Sequence, residues 1–290
     1  MQIRTHGREP GKEPSGESIG EPTKEELSTI IWRIEESYLS GPPKTVRPNI
    51  GRRLEGLASK FSSWRDFIKA LRPGSQLLED VANTLLNGKT YFFREPEQFR
   101  YLEGLLPTIS GTSVILDLCC SDGREAYSIA MVAAKVGKPV KILATDIRKE
   151  ALAQARKGEY LLSSFISEDC GLGYIKLLEC YTRVENRDGK WYRVVHPSIK
   201  DGVTFEKLNL RHVANKHVKF PNEFENPDIV FLRNVLIYMS NDDRRTVLTA
   251  LTENCMHVGS YLFLGATEGI SLMGLSTLEH VGHSVYRKNK

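Results

Sequence analysis

The chain has 290 residues, 40% of them hydrophobic, enough for one substantial core or two modest ones, and an α/β domain with a small companion is the expectation. Its net charge of +4 and pI near 8.7 are too mild for a dedicated nucleic-acid binder. No signal peptide is read at the start, no apolar run reaches the roughly 18 residues of a membrane span, and five cysteines without C-x-x-C spacing point to a reducing cytoplasm.

Residues 1–22 are rich in Gly, Pro, Glu and Ser, a composition that does not repay the entropy of ordering, and they are predicted to form a disordered tail. Thr23 and Glu26 have the spacing of a capping box at the head of a helical pattern through Leu27, Ile30, Ile31 and Ile34, which Gly41-Pro42-Pro43 stops. Further helices are predicted over 48–60, 63–71 and 75–86, making residues 23–88 a small all-α N-terminal domain. Between Lys44 and Arg72 lie Lys44, Arg47, Arg52, Arg53, Lys60, Arg65, Lys69 and Arg72 against only Glu55 and Asp66. One basic face follows, either a docking surface or a plain solvated one.

Residues 89–290 read as a single α/β domain. After a helix led by Glu97 and Phe99, strands are predicted at 113–118, 140–145, 203–207, 228–232, 260–265 and 284–287. The helical patterns between most of them argue a largely parallel, doubly wound, Rossmann-like sheet. Residues 165–202 break this rhythm, because Trp191-Tyr192-Arg193-Val194-Val195 follows the turn signal Arg187-Asp188-Gly189-Lys190. They are predicted to be a small inserted β-subdomain.

The apolar run Val114 to Leu118, the turn Cys119-Cys120-Ser121-Asp122-Gly123 and the helical pattern from Arg124 form a strand, a ligand-facing loop and a helix. About twenty residues on, the strand ending in Thr145-Asp146-Ile147 places an acid where a βαβ unit binds a ribose hydroxyl. With one glycine in the loop and no G-K-[ST], neither a pyrophosphate nor a triphosphate is provided for, and a phosphate-free nucleoside, S-adenosylmethionine, fits better. The seven histidines show no paired metal spacing, Cys119 and Cys120 read as small buried residues, and no metal is assigned.

At this point the chain resembles the CheR-type methyltransferases, which methylate glutamate side chains of bacterial chemoreceptors with S-adenosylmethionine. The resemblance runs from about Thr23 to Lys288. It rests on Thr90-Tyr91-Phe92-Phe93-Arg94-Glu95, the loop and helix Ser121 to Met131, Ala144-Thr145-Asp146-Ile147, Ala155 to Tyr160 with Gly158, Asn209-Leu210, and Phe231 to Tyr238. It implies a helical N-terminal domain, a nucleoside-binding sheet and an inserted β-subdomain.

The same resemblance implies cofactor contacts. Thr90 and Arg94 stand near the methionine end, Glu125 near the amino group, Asp146 on the ribose, Asn209 and Leu210 around the adenine, and Arg233 and Asn234 in the wall. Tyr238 falls beside the methyl group and, with Arg94, makes up the catalytic pair; the product is S-adenosylhomocysteine. An acidic, helical, chemoreceptor-like protein is the implied partner, docking through the basic helical domain and the hairpin of a monomeric cytoplasmic enzyme. Three departures stand out. Arg124 replaces a usual glutamate at the mouth of the pocket, Gly88 a usual asparagine, and Ala266-Thr267-Glu268 a usual His-Ser-Glu. They leave room for a divergent acceptor, a small acid or another protein, and a third reading is a regulatory module that binds the cofactor without turnover.

Overall fold

A computed structural model describes residues 19–42, 44, 46–86, 88–164, 173–215, 219–269 and 275–290. The tail expected over 1–18 therefore lies outside the described residues. Helix α1 (Lys24–Tyr38) opens with the predicted capping box: Thr23 Oγ1 accepts the Glu26 N–H at 3.2 Å and Glu26 Oε2 accepts the Thr23 N–H at 2.9 Å. α2 (Ile50–Ala58), α3 (Trp64–Ala70) and α4 (Gln76–Leu85) complete the helical unit, the last two capped by Ser63 and Ser75. Its core closes on Ile30, Ile34, Leu54, Phe67, Leu78 and Leu85, all fully buried, each contributing on the order of 1.5–3 kcal/mol of transfer free energy. Of residues 19–22, read as the end of the tail, Ile19 and Pro22 are partly buried while Gly20 and Glu21 are exposed. Trp64 Nε1 donates to the Gly20 carbonyl at 2.9 Å, and Ile19 lies against the helical core.

α5 (Pro96–Leu105) leads into β1 (Ser113–Leu118), α6 (Arg124–Lys135), β2 (Val140–Asp146) and α7 (Lys149–Lys157). β3 (Glu159–Leu161), α8 (Ile175–Cys180), β4 (Thr182–Arg187), β5 (Lys190–Val195) and α9 (Pro197–Lys200) follow. The chain closes with β6 (Val203–Lys207), α10 (Leu210–Ala214), β7 (Ile229–Leu232), α11 (Asn241–Asn254), β8 (Tyr261–Leu264), β9 (Leu278–Gly282) and β10 (Val285–Lys288).

The main sheet has the order β6-β2-β1-β7-β8-β10-β9, with β6 to β8 parallel and β10 antiparallel to both neighbours. Alternate residues of one strand feed opposite layers, as the two-residue period requires. Ile115 and Phe231 join one core, whereas Leu116, Leu118, Val230 and Leu232 join the other. Strand β9 escaped the sequence reading, because at the sheet edge Leu278, Glu279, His280 and Val281 are all partly exposed and no inward-outward alternation survives.

The inserted subdomain is a three-stranded antiparallel sheet, β3-β5-β4, rather than a hairpin alone. The turn joining β4 to β5 puts Asp188 (φ 51°) and Gly189 (φ 76°) in the left-handed region that two-residue hairpins of right-handed twist demand. β3 pairs with β5 from Glu159 onward, so the subdomain draws on chain ahead of the expected boundary at 165; three residues are too few to show a strand period. Residues 165–172 of the expected insertion lie outside the described residues.

Candidate active site

The sheet order turns back at β1, which has β2 on one side and β7 on the other, and this switch point opens a crevice at the carboxyl ends of the strands. The loop after β1 is tightly wound: Cys119, Ser121 and Gly123 have φ of 67°, 55° and 87°, and the Cys120 N–H donates to the Thr145 carbonyl at 2.8 Å. Gly123 is required twice over, since a Cβ there would also sit 2.8 Å from Ala155 Cβ and 3.0 Å from Phe205 Cζ. So wound, the loop turns the Ser121 N–H onto Asp146 Oδ2 at 2.9 Å.

Thr90, Arg94, Glu125, Asp146, Asn209, Leu210, Arg233, Asn234 and Tyr238 all line one cleft of about 850 Å³ in this crevice. Tyr38 and Ser40, at the end of α1, line it from the helical unit. Asp146 is buried on the β2 side. The Asn209 side chain caps α10 through Arg211 N at 3.0 Å and donates to the Ser37 carbonyl at 2.9 Å, tying the cleft wall to α1, while the Leu210 side chain is sunk in the core. Arg94 lies over the Tyr91 ring and donates to the Lys89 carbonyl at 3.1 Å. Phe92 and Phe93 are both fully buried core residues.

On the β7 side Glu125, expected near the cofactor's amino group, also has a protein partner. Its Oε2 accepts from Arg233 Nη1 at 2.5 Å, and the fully buried Arg233 guanidinium also donates to the Arg94 carbonyl and reaches Glu95 Oε2 at 3.3 Å. Beneath them Asp117 is completely buried at the end of β1. Among the described residues no donor reaches either of its oxygens. Burial first, and Glu125 second, pushes the Asp117 carboxyl well above the usual carboxylate range. Burial likewise raises the thiols of Cys119 and Cys120, leaving them un-ionised and poor nucleophiles.

Several supports of this cleft lie in the motif segments, where the resemblance gives them no role. Glu268 accepts the N–H groups of Asn234 (2.6 Å), Gly265 (2.8 Å) and Ile237 (3.1 Å) and so fixes the segment leading to Tyr238. Burial pushes its carboxyl upward against the opposing pull of those donors. Glu95 accepts from Asn234 Nδ2 at 3.0 Å and from the Ala266 N–H at 2.9 Å, and Ser128 Oγ accepts the Phe93 N–H at 2.9 Å. Arg124, expected at the pocket mouth, lies instead over the Tyr160 ring at 4.7 Å, beside Asp122 at 3.6 Å, and donates to the Thr90 carbonyl at 3.2 Å. It braces the Thr90 segment against the β-subdomain and is only 8% exposed.

The donor set suits a zwitterionic nucleoside. Carboxylates stand on both sides of the crevice, and Arg148 and Arg233 each lie against one of them. With the family match over residues 88–285, this doubly wound sheet and its crevice are those of an S-adenosylmethionine-dependent methyltransferase. The chain belongs to the CheR methyltransferase family: the family's "CheR methyltransferase, SAM binding domain" matches residues 88–285. The chain is 29% identical over 287 residues to the chemotaxis protein methyltransferase of Borreliella burgdorferi, covering 92% of this chain and 95% of that one. It is 32% identical over 240 residues to chemotaxis protein methyltransferase 1 of Vibrio cholerae, covering 77% and 81%. Among solved structures, magnesium protoporphyrin IX methyltransferase from Synechocystis PCC 6803 with bound SAM aligns with TM-score 0.33 and 16% identity over 59% of this chain and 55% of that one. No helix among the described residues is long and apolar enough to cross a membrane.

Proposed function

We propose that this methyltransferase esterifies glutamate side chains of an acidic, helical, chemoreceptor-like protein; its relatives are chemotaxis protein methyltransferases. The observation that carries the reading is the convergence of Asp146, Glu125, Arg94 and Tyr238 on one cleft. In it Asp146 holds the ribose, Glu125 the cofactor's amino group, Arg94 its carboxylate, and Asn209 with Leu210 the adenine. Thr90, Arg233 and Asn234 complete the methionine end.

S-adenosylmethionine, held by Asp146, Glu125 and Arg94, would supply a sulfonium methyl group to an acceptor carboxylate oxygen, with S-adenosylhomocysteine as the leaving group and a methyl ester as the product. A glutamate acceptor is already ionised at neutral pH, its ordinary pKa being about 4.3, so no strong base is needed. Alignment and exclusion of water are what the residues contribute. Tyr238 orients the acceptor at the cleft rim. Arg52, Arg53, Lys60, Arg65 and Arg72 are exposed on the helical unit and attract the acidic partner, whereas Arg47 and Lys69 are paired with Glu35 and Asp66. Trp191 and Val184, exposed on the β-subdomain, add an apolar contact. Arg124, the departure that suggested a divergent acceptor, lies against Tyr160 and Asp122 and is not among the residues lining the cleft.

The test is to incubate the enzyme with methyl-labelled S-adenosylmethionine and extract of its own cells. Label in a membrane-receptor band, released as methanol by mild alkali, is expected. Label confined to small molecules, or alkali-stable label on protein, would overturn the reading.

A further inference from the structure

The cleft contains a charged side chain that neither the motifs nor the resemblance assigns. Arg148, two residues beyond Asp146, donates to Asp146 Oδ1 from its backbone N–H at 2.9 Å and from Nε at 3.2 Å. Its Nη2 donates to Ser121 Oγ at 2.9 Å. That hydroxyl in turn donates to the Gly88 carbonyl at 2.9 Å, and the Ser121 N–H donates to Asp146 Oδ2 at 2.9 Å. Asp146, Arg148 and Ser121 thus form a closed ring of hydrogen bonds, anchored to the backbone of Gly88.

Gly88 supplies an independent observation. Its backbone is not in the left-handed region, so no conformational demand calls for glycine there. What excludes a side chain is Arg148: a Cβ at position 88 would sit 2.0 Å from Nη1 and 2.7 Å from Cζ. The guanidinium fills the volume that a side chain at 88 would otherwise take. The two positions are complementary, and both line the cleft.

The ring also decides what Asp146 has left to offer. Oδ1 accepts two donors and Oδ2 one, out of about four acceptor sites on a carboxylate, so the open site is on Oδ2. We propose that Arg148 is a cofactor-positioning residue. It locks Asp146 so that Oδ2 faces a ribose hydroxyl, and its guanidinium walls the nucleoside end of the cleft in place of a side chain at 88. The proposal rests on the reading of Asp146 as the ribose acceptor. Lysine is not an adequate substitute, because only a fork reaches Asp146 and Ser121 together.

Calorimetric titration of S-adenosylhomocysteine into the full chain tests this with Asp146→Ala, Arg148→Ala, Arg148→Lys, Gly88→Ala and the Gly88→Ala, Arg148→Ala double variant. Arg148→Ala, Arg148→Lys and Gly88→Ala should each weaken binding about tenfold, and the double variant should bind no more weakly than Arg148→Ala, since both changes remove one interaction. Gly88→Ala should keep the wild-type melting temperature, because the added methyl displaces only the far end of a flexible side chain. The KM for cofactor should rise more than kcat falls. If Asp146→Ala weakens binding while Arg148→Ala does not, or if the Gly88 and Arg148 losses simply add, the proposed role of Arg148 is wrong. If Asp146→Ala leaves binding unchanged, the ribose assignment fails first and the role of Arg148 with it.

Discussion

Glu268 Oε2 accepts the backbone N–H of Asn234 at 2.6 Å, joining the end of β8 to the segment after β7. Asn234 has φ 58°, a left-handed conformation that costs a non-glycine residue on the order of 1 kcal/mol and persists only where its surroundings hold it. Glu268 and Glu95 do so from two sides. Glu268→Gln turns an N–H₂ toward backbone donors, and a buried donor left unsatisfied costs about 1–3 kcal/mol. Thermal melting should fall by about 2–4 °C for each kcal/mol lost, and turnover should fall with it because Tyr238 hangs on the same segment. A variant with wild-type melting and rate would remove Glu268 from this role.

Asp117 makes the protein's stability depend on pH in a direction opposite to that of most carboxylates. Its folded-state pKa is raised, chiefly by burial, so the folded chain keeps a proton that the unfolded chain releases near the ordinary value of about 3.9. Stability from this group is fully present below that value and falls as pH rises toward the folded-state pKa. Asp117→Asn keeps the shape and removes the titration. Melting curves between about pH 4 and 9 should be flatter for the variant and higher on the alkaline side; an unchanged slope would show that Asp117 is ionised in the fold.

Tyr238→Phe should separate chemistry from binding. As an orienting group at the rim, its hydroxyl should matter to turnover by roughly 10–100-fold, the cost of modest misalignment, with little change in affinity for S-adenosylhomocysteine. Rate and affinity measured side by side decide the point. Equal losses, or none, would return Tyr238 to a packing role.

Salt should distinguish a protein acceptor from a small one. Exposed charges such as Arg52 and Arg53 are screened over a Debye length of roughly 10 Å at 0.1 M, so kcat/KM for an acidic helical acceptor should drop as ionic strength rises. Cofactor affinity should barely move. The Arg52→Glu, Arg53→Glu double variant should be slow already at low salt and respond less to added salt. Parallel, flat curves for both proteins would mark the basic run as a solvated surface.

What the sequence determined by itself are the features whose causes are local. The capping box at Thr23 and Glu26, the alternation that splits Ile115 from Leu116 between two layers, the Asp188-Gly189 turn and the tight loop at Gly123 all follow from residues a few positions apart. The acid closing β2 is legible for the same reason, since a βαβ unit sets its distance from the loop. Tertiary structure alone decided the rest. Arg233 meets Glu125 across 108 residues, Glu95 meets Asn234 across 139, and the Arg148 guanidinium fills the gap at Gly88. Arg124, legible as a change of charge, became a brace only once Tyr160 packed over it. Such pairings join helices and loops that meet at one crevice but lie far apart in the chain, and no periodicity in a sequence records which buried cation will find which carboxylate.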